Sequence, residues 1–203
     1  VVKFPKPTAQ SNLNGLLSRY LKKKRLQMIL PFIPPGAKIL DVGCDNGALL
    51  EHLPAFECYL GLDNQEAVIA RNRKHYQQAN VSFACANFDD FAWQGSPFNL
   101  VVLTAVLEHL AGIAPALARL RVLVAENGLL LITTPCPLSH FVLHAGAAVR
   151  LFARDSLSEH KNYFRKSDFQ RLPEWKLDLY KRFEFGLNQL VVLRKLPAPQ
   201  PKP

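Results

Sequence analysis

The sequence predicts an α/β domain: a largely parallel β-sheet with helices on both faces, ending in an antiparallel hairpin. Three observations predict it. Strand-like and helix-like segments alternate between residues 37 and 133. The strand-like segments are nearly all apolar, as strands buried on both faces are. The last two strand-like runs are separated by little more than Gly186, too short for a parallel crossover.

Each element has its own signal. Leu13, Leu16, Leu17, Tyr20 and Leu21 recur at the spacing of one helix face, and Pro31 to Pro35 should end that helix. Ala37 to Val42 is a short apolar strand entering a glycine-containing loop, and Ala48 to Leu53 starts a helix. Tyr59 to Leu62 is the next strand, followed by a polar-faced helix over Gln65 to Gln78. Val81 to Ala86 and Phe98 to Leu103 are two more buried strands. Ile113 to Val124 is helical, and Gly128 to Thr133 is a strand stopped by Pro135. Trp175 to Phe185 and Leu187 to Arg194 form the hairpin. A segment at 138–166 has no strand pattern and many aromatic and basic residues. Insertions of this kind at the carboxyl edge of a parallel sheet tend to carry ligand contacts.

Composition narrows the function. The 203 residues, 49% of them hydrophobic, suit one domain with a sizeable core. The net charge of +9 is unevenly placed. Residues 1–25 carry seven Lys/Arg and no acid, residues 26–149 carry six basic and ten acidic residues, and residues 150–203 carry twelve basic and six acidic residues. Cys44, Cys58, Cys85 and Cys136 form no C-x-x-C pair, which excludes a zinc ribbon or a thioredoxin-type motif. The chain opens without an apolar signal region, and its cysteines suit a reducing compartment, so a cytoplasmic location is expected. The uncharged run from Asn127 to Val149 is long enough to span a membrane, but its prolines, polar residues and strand formers argue against that.

The informative stretch is Ile39-Leu-Asp-Val-Gly-Cys-Asp-Asn-Gly47, with Asp63 at the end of the next strand. Glycines after the first strand let a ligand approach the backbone, and an acid about 20 residues on can take both ribose hydroxyls. A nucleoside ligand is implied. Asp41 and Asp45 stand where a diphosphate would lie, and like charges so close disfavour it. A ligand with an ammonium and a sulfonium beside its ribose suits the same place, and S-adenosylmethionine has both.

Further motifs occur in order: Gly61-Leu-Asp63, Phe98-Asn-Leu-Val-Val, Val106-Leu-Glu-His-Leu110 and Asn127-Gly-Leu-Leu-Leu-Ile-Thr-Thr-Pro135. Over about residues 25 to 195 the chain resembles the class I S-adenosylmethionine-dependent methyltransferases, and within them the group that includes quinone-biosynthesis O-methyltransferases. The resemblance implies a Rossmann-like sheet of seven strands in the order 3-2-1-4-5-7-6, the last antiparallel. It divides the chain into a helical cover (1–35), a cofactor-binding half (36–135), a substrate cover (138–166), a terminal hairpin (175–195) and a Pro-rich tail (196–203).

The resemblance also implies roles. Asp41, Gly43, Cys44, Asp45 and Gly47 would surround the methionine part of the cofactor. Asp63 would bind the ribose, with Asn64 beside it. Asn87 and Phe88 would meet the adenine, and Leu103 and Thr104 would lie under the cofactor. The chain departs from its relatives at Asp45, where a glycine is usual, at Asn87, where many have Asp, and at Ala105, where many have Glu.

Methyl transfer from a sulfonium needs mainly alignment, and it needs a base only when the acceptor must lose a proton. His109 and His160 are the candidate bases; the alternatives are a capping or packing histidine and a solvated one. Tyr20, His140, His144 and Tyr163 are candidate acceptor contacts. His140 and His144 have the i, i+4 spacing of metal ligands, but no third ligand is apparent, and no metal is expected. Cys136, between two prolines, reads as a loop residue rather than a nucleophile. The basic flanks suit an anionic or lipid-linked small acceptor, or peripheral contact with an anionic membrane. An RNA substrate fits less well: the fourth strand runs into Thr104-Ala-Val, not the Asp/Asn-Pro-Pro-aromatic motif of amino-group methylators of nucleic acid. A non-catalytic S-adenosylmethionine-binding module is the third reading, motivated by the departures at Asp45, Asn87 and Ala105.

Overall fold

The computed structural model describes residues 9–110, 112–139 and 162–197, and the side chains from residue 19 onward within them. Seven strands form one sheet: β1 (Lys38–Val42), β2 (Cys58–Asp63), β3 (Val81–Cys85), β4 (Phe98–Thr104), β5 (Val124–Pro135), β6 (Trp175–Phe183) and β7 (Asn188–Lys195). Their order is β3-β2-β1-β4-β5-β7-β6, as the resemblance implies. β1 to β5 pair in parallel, and β7 runs antiparallel to both β5 and β6.

Alternation along the central strands sends side chains into two cores. In β4, Val101 and Leu103 enter one core and Leu100 and Val102 the other, and all four are fully buried. The first core lies under α3 (Ile113–Leu123), with Leu117 and Leu120, and under the short α4 (Lys166–Gln170), with Phe169. The second lies under α1 (Ala9–Ile29), with Ile29, and α2 (Glu66–His75), with Ile69. Both faces of the central strands are covered, which is why β1, β4 and the paired part of β5 are largely apolar.

Two elements differ from expectation. After β1 there is no regular helix, only a 3-10 turn at Leu50–His52. Pro54 explains this, because the residue before a proline is pushed to extended backbone, and Leu53 is extended. β5 begins at Val124, directly after α3, rather than at Gly128. The early part pairs Val124 with Phe98, and the register then shifts before Leu100 pairs with Leu129. Asn127, with φ of 59°, and Gly128 take up the irregularity.

Candidate active site

The carboxyl ends of β1, β2, β4 and β5 lie at one edge of the sheet, and the loops after β1 and β2 carry several of the predicted site residues. In the loop after β1, Gly43, Asp45 and Gly47 have φ of 71°, 42° and 75°. Glycine adopts this left-handed region freely, and aspartate is among the few other residues that tolerate it. Space matters as well. A Cβ on Gly47 would lie 2.7 Å from the Tyr76 ring, and one on Gly43 would collide with Val106. The glycines therefore seat the loop against its own protein neighbours, a constraint beyond ligand approach.

Asp63, at the end of β2, organises this loop. One carboxylate oxygen accepts the Asp45 N–H at 3.0 Å, and the other accepts the Gln65 N–H at 3.0 Å. Each oxygen keeps a second lone pair, so the carboxylate is oriented by the backbone and can still accept two hydroxyls. The Asn72 side-chain amide holds the Asp45 carbonyl at 2.6 Å. The Asp45 carboxylate is paired with Lys22 of α1, so the first helix is tied to the loop.

Asp41 is buried and accepts a hydrogen bond from the Tyr59 hydroxyl at 2.7 Å. Burial pushes its carboxyl up to about 7, the Tyr59 bond opposes this, and nearby Asp63 adds to it. Cys44 is buried beside it, and burial together with Asp41 and Asp63 pushes the thiol well above its ordinary value. It stays a thiol and packs as a small apolar group. Asp41, Asp45 and Asp63 thus give one loop an acidic lining that suits a cationic ligand.

Of the other predicted residues, Asn64 and Asn87 are exposed at the edge and Thr104 is half-buried. Phe88 and Leu103 are core side chains; the Phe88 ring lies 5.8 Å from the Arg119 guanidinium. Tyr20 is 51% exposed on α1, with Lys24 5.7 Å from its ring centre. Tyr163 is half-buried and electrostatically coupled to Glu108. His109 is exposed, and its backbone N–H donates to the Val106 carbonyl at 2.9 Å. His140, His144 and His160 lie outside the described residues. Among the described residues no group of three His, Cys, Asp or Glu could hold a metal. Cys136 is fully buried, and burial raises its thiol.

The structure adds residues that the sequence did not single out. Glu108 is fully buried, with one oxygen accepting the Thr134 hydroxyl at 3.0 Å. Burial raises its carboxyl, while Thr134, His109 and Arg25 oppose the shift. Arg25, on α1, is half-buried; burial lowers its guanidinium, and the charges of Glu108 and Glu184 oppose that shift. The signal for Glu108 was its place in the Val106-Leu-Glu-His-Leu110 motif, where the sequence reading assigned it no role of its own.

A family model described as a methyltransferase domain matches residues 13–175. The chain belongs to this methyltransferase family. The family's cofactor is S-adenosylmethionine, and the acidic loop with the oriented Asp63 fits it. Trans-aconitate 2-methyltransferase of Acidovorax sp. (strain JS42) is 37% identical over 106 residues, which are 50% of this chain and 40% of that protein. Ubiquinone biosynthesis O-methyltransferase of Coxiella burnetii (strain Dugway 5J108-111) is 28% identical over 102 residues, 49% of this chain and 44% of that protein. The matches thus span less than half of these relatives. Among solved structures, a chain of the complex between the Haloferax volcanii Trm112 methyltransferase activator and a methyltransferase superposes with a TM-score of 0.73 at 13% identity, over 90% of this chain and 93% of that one. That likeness is one of fold. Among the described residues no helix is long and apolar enough to cross a membrane.

Proposed function

We propose that this domain transfers a methyl group from S-adenosylmethionine to a small-molecule acceptor, at oxygen by preference. The observation that carries the reading is Asp63, fixed by two backbone N–H groups so that its remaining lone pairs face outward beside an acid-lined loop. Both relatives are named for small molecules, and one is named for methylation at oxygen.

When bound, the cofactor supplies an electrophilic methyl group on a positively charged sulfur. Asp63 holds the ribose. Asp41 and Asp45 offset the positive charge, and Asn64 and Asn87 frame the nucleoside. The acceptor approaches from the carboxyl ends of β4 and β5, where Tyr163 and His109 stand. His109 is positioned to take a proton from a hydroxyl there, and His160, His140, His144 and Tyr20 remain contacts to assign by mutation. The anionic acceptor suggested by net charge has less support. One of the four cations in the Lys22 to Arg25 run, Lys22, is paired with an acid of the same chain.

Calorimetry with S-adenosylmethionine and its demethylated product tests the reading. Heat of binding in the wild type, lost in Asp63→Ala, is expected. No heat in the wild type would sink it.

A further inference from the structure

Lys22, Leu26 and Ile29 recur at i, i+4 and i+7, which is one stripe of α1. Ile29 is buried in the second core, and Leu26 packs against that core. The same stripe brings Lys22 to the loop after β1, where its ammonium is paired with the Asp45 carboxylate. The pair is open to solvent, with the two side chains 54% and 46% exposed. Asp45 is a fixed partner. Its N–H donates to Asp63 at 3.0 Å, and its carbonyl accepts the Asn72 amide of α2 at 2.6 Å. With φ of 42°, its backbone lies where few residues other than glycine go. The carboxylate therefore leaves a backbone anchored on both sides, and it sets where the ammonium stands. An ammonium has three donors, and among the described residues Lys22 is bonded to Asp45 alone, so donors remain for a second acceptor.

The methionine part of S-adenosylmethionine carries a sulfonium, an ammonium and a carboxylate. Asp41, Asp45 and Asp63 suit the two cationic groups but repel the carboxylate. A cation is needed at the same loop, and among the described residues the one bonded to it is Lys22. Neither Asp41 nor Asp63 is in an ion pair among those residues, so the loop stays acidic for the other two groups. As an exposed ion pair, Lys22 with Asp45 adds little to stability. Its placing is better explained by a ligand than by the fold.

We propose that Lys22 binds the carboxylate of the cofactor's methionine part, and that Asp45 is the positioning residue that holds Lys22 for it. The proposal rests on the methyl-transfer reading and deepens it by assigning the recognition of the cofactor's one anionic group. It also gives the departure at Asp45 a purpose. Where a glycine is usual, the aspartate brings a counter-cation to the loop.

The test compares, by calorimetry, the demethylated cofactor with its decarboxylated form, in which a hydrogen replaces the carboxylate. Wild type should prefer the intact ligand by about tenfold. Lys22→Gln should lose about tenfold for the intact ligand and change little for the decarboxylated one, so the preference collapses. Lys22→Arg should restore most of the preference, and Asp45→Asn, with the lysine present but no longer held, should reduce it several-fold. The proposal is overturned if wild type does not distinguish the two ligands. It is overturned also if Lys22→Gln keeps the wild-type preference, or if both Lys22 variants weaken the two ligands equally, because the lysine is then a structural tether. An unchanged preference in Asp45→Asn would remove the positioning role. Failure of the intact demethylated cofactor to bind wild type would overturn the methyl-transfer reading instead.

Discussion

Asp41 carries two opposed demands. It is a buried carboxyl, held up to about 7 by burial, with Tyr59, Cys44 and Asp63 around it. Its ordinary value is 3.8, so the folded state keeps a proton that the unfolded chain loses above about pH 4. Asp41's contribution to stability therefore falls as pH rises from about 4 to about 7, and is level above that. Asp41→Asn keeps an acceptor for the Tyr59 hydroxyl and removes the penalty. Urea denaturation should find the variant more stable than wild type by about 2 kcal/mol at about pH 8, with little gain at about pH 4. Its affinity for the cationic cofactor should fall about tenfold, the usual exchange of stability for function. A variant less stable at pH 8 would contradict this account. Asp63→Asn should behave differently. It loses an acceptor oxygen and so one of the two N–H bonds that fix the loop. Calorimetry should show cofactor affinity lower by at least about 1.4 kcal/mol, with a smaller loss than for Asp63→Ala.

At the scale of elements, two glycines separate two physical costs. Gly186, in the turn between β6 and β7, has φ of 83° and open space around it, whereas Gly47 has φ of 75° and the Tyr76 ring against it. Gly186→Ala should cost about 1 kcal/mol from backbone alone, and Gly47→Ala should cost more, roughly 2–4 kcal/mol, because the ring must move as well. Thermal melts of the two variants check the order; equal losses would mean that the loop after β1 yields easily. The same elements show what sequence reading reached. The terminal hairpin and the β1 loop follow from periodicity and spacing, because those signals are local, whereas the strand order follows only from the family that the ordered motifs resemble. The single 3-10 turn after β1 was missed because the effect of Pro54 was not weighed against an apolar run. The contact of Glu108 with Thr134 was invisible for a deeper reason: the two residues are 26 apart in the chain, and only the pairing of β4 with β5 makes them neighbours.

For the whole molecule, the charge map changes meaning once pairing is known. The basic flanks suggested a surface open to an anionic partner, yet among the described residues some of that charge is already engaged within the chain. On the first helix, Lys22 meets Asp45. On the hairpin, Arg194 meets Asp178 at 2.7 Å and Lys176 meets it at 3.4 Å, while Lys195 donates to the Arg121 and Val124 carbonyls. Binding RNA draws on cations held free to neutralise several phosphates at once, and it releases counterions as it does so. Cations that already serve carboxylates and carbonyls contribute little to that release. The chain should therefore give no shift of a structured RNA on a native gel at about 0.15 M salt, where exposed charges are screened beyond about 8 Å. At low salt a weak smear is expected, from the lysines that remain on α1. A discrete complex that survives at the higher salt would show that the flanks form a built nucleic-acid surface, and would move the acceptor from a small molecule to RNA.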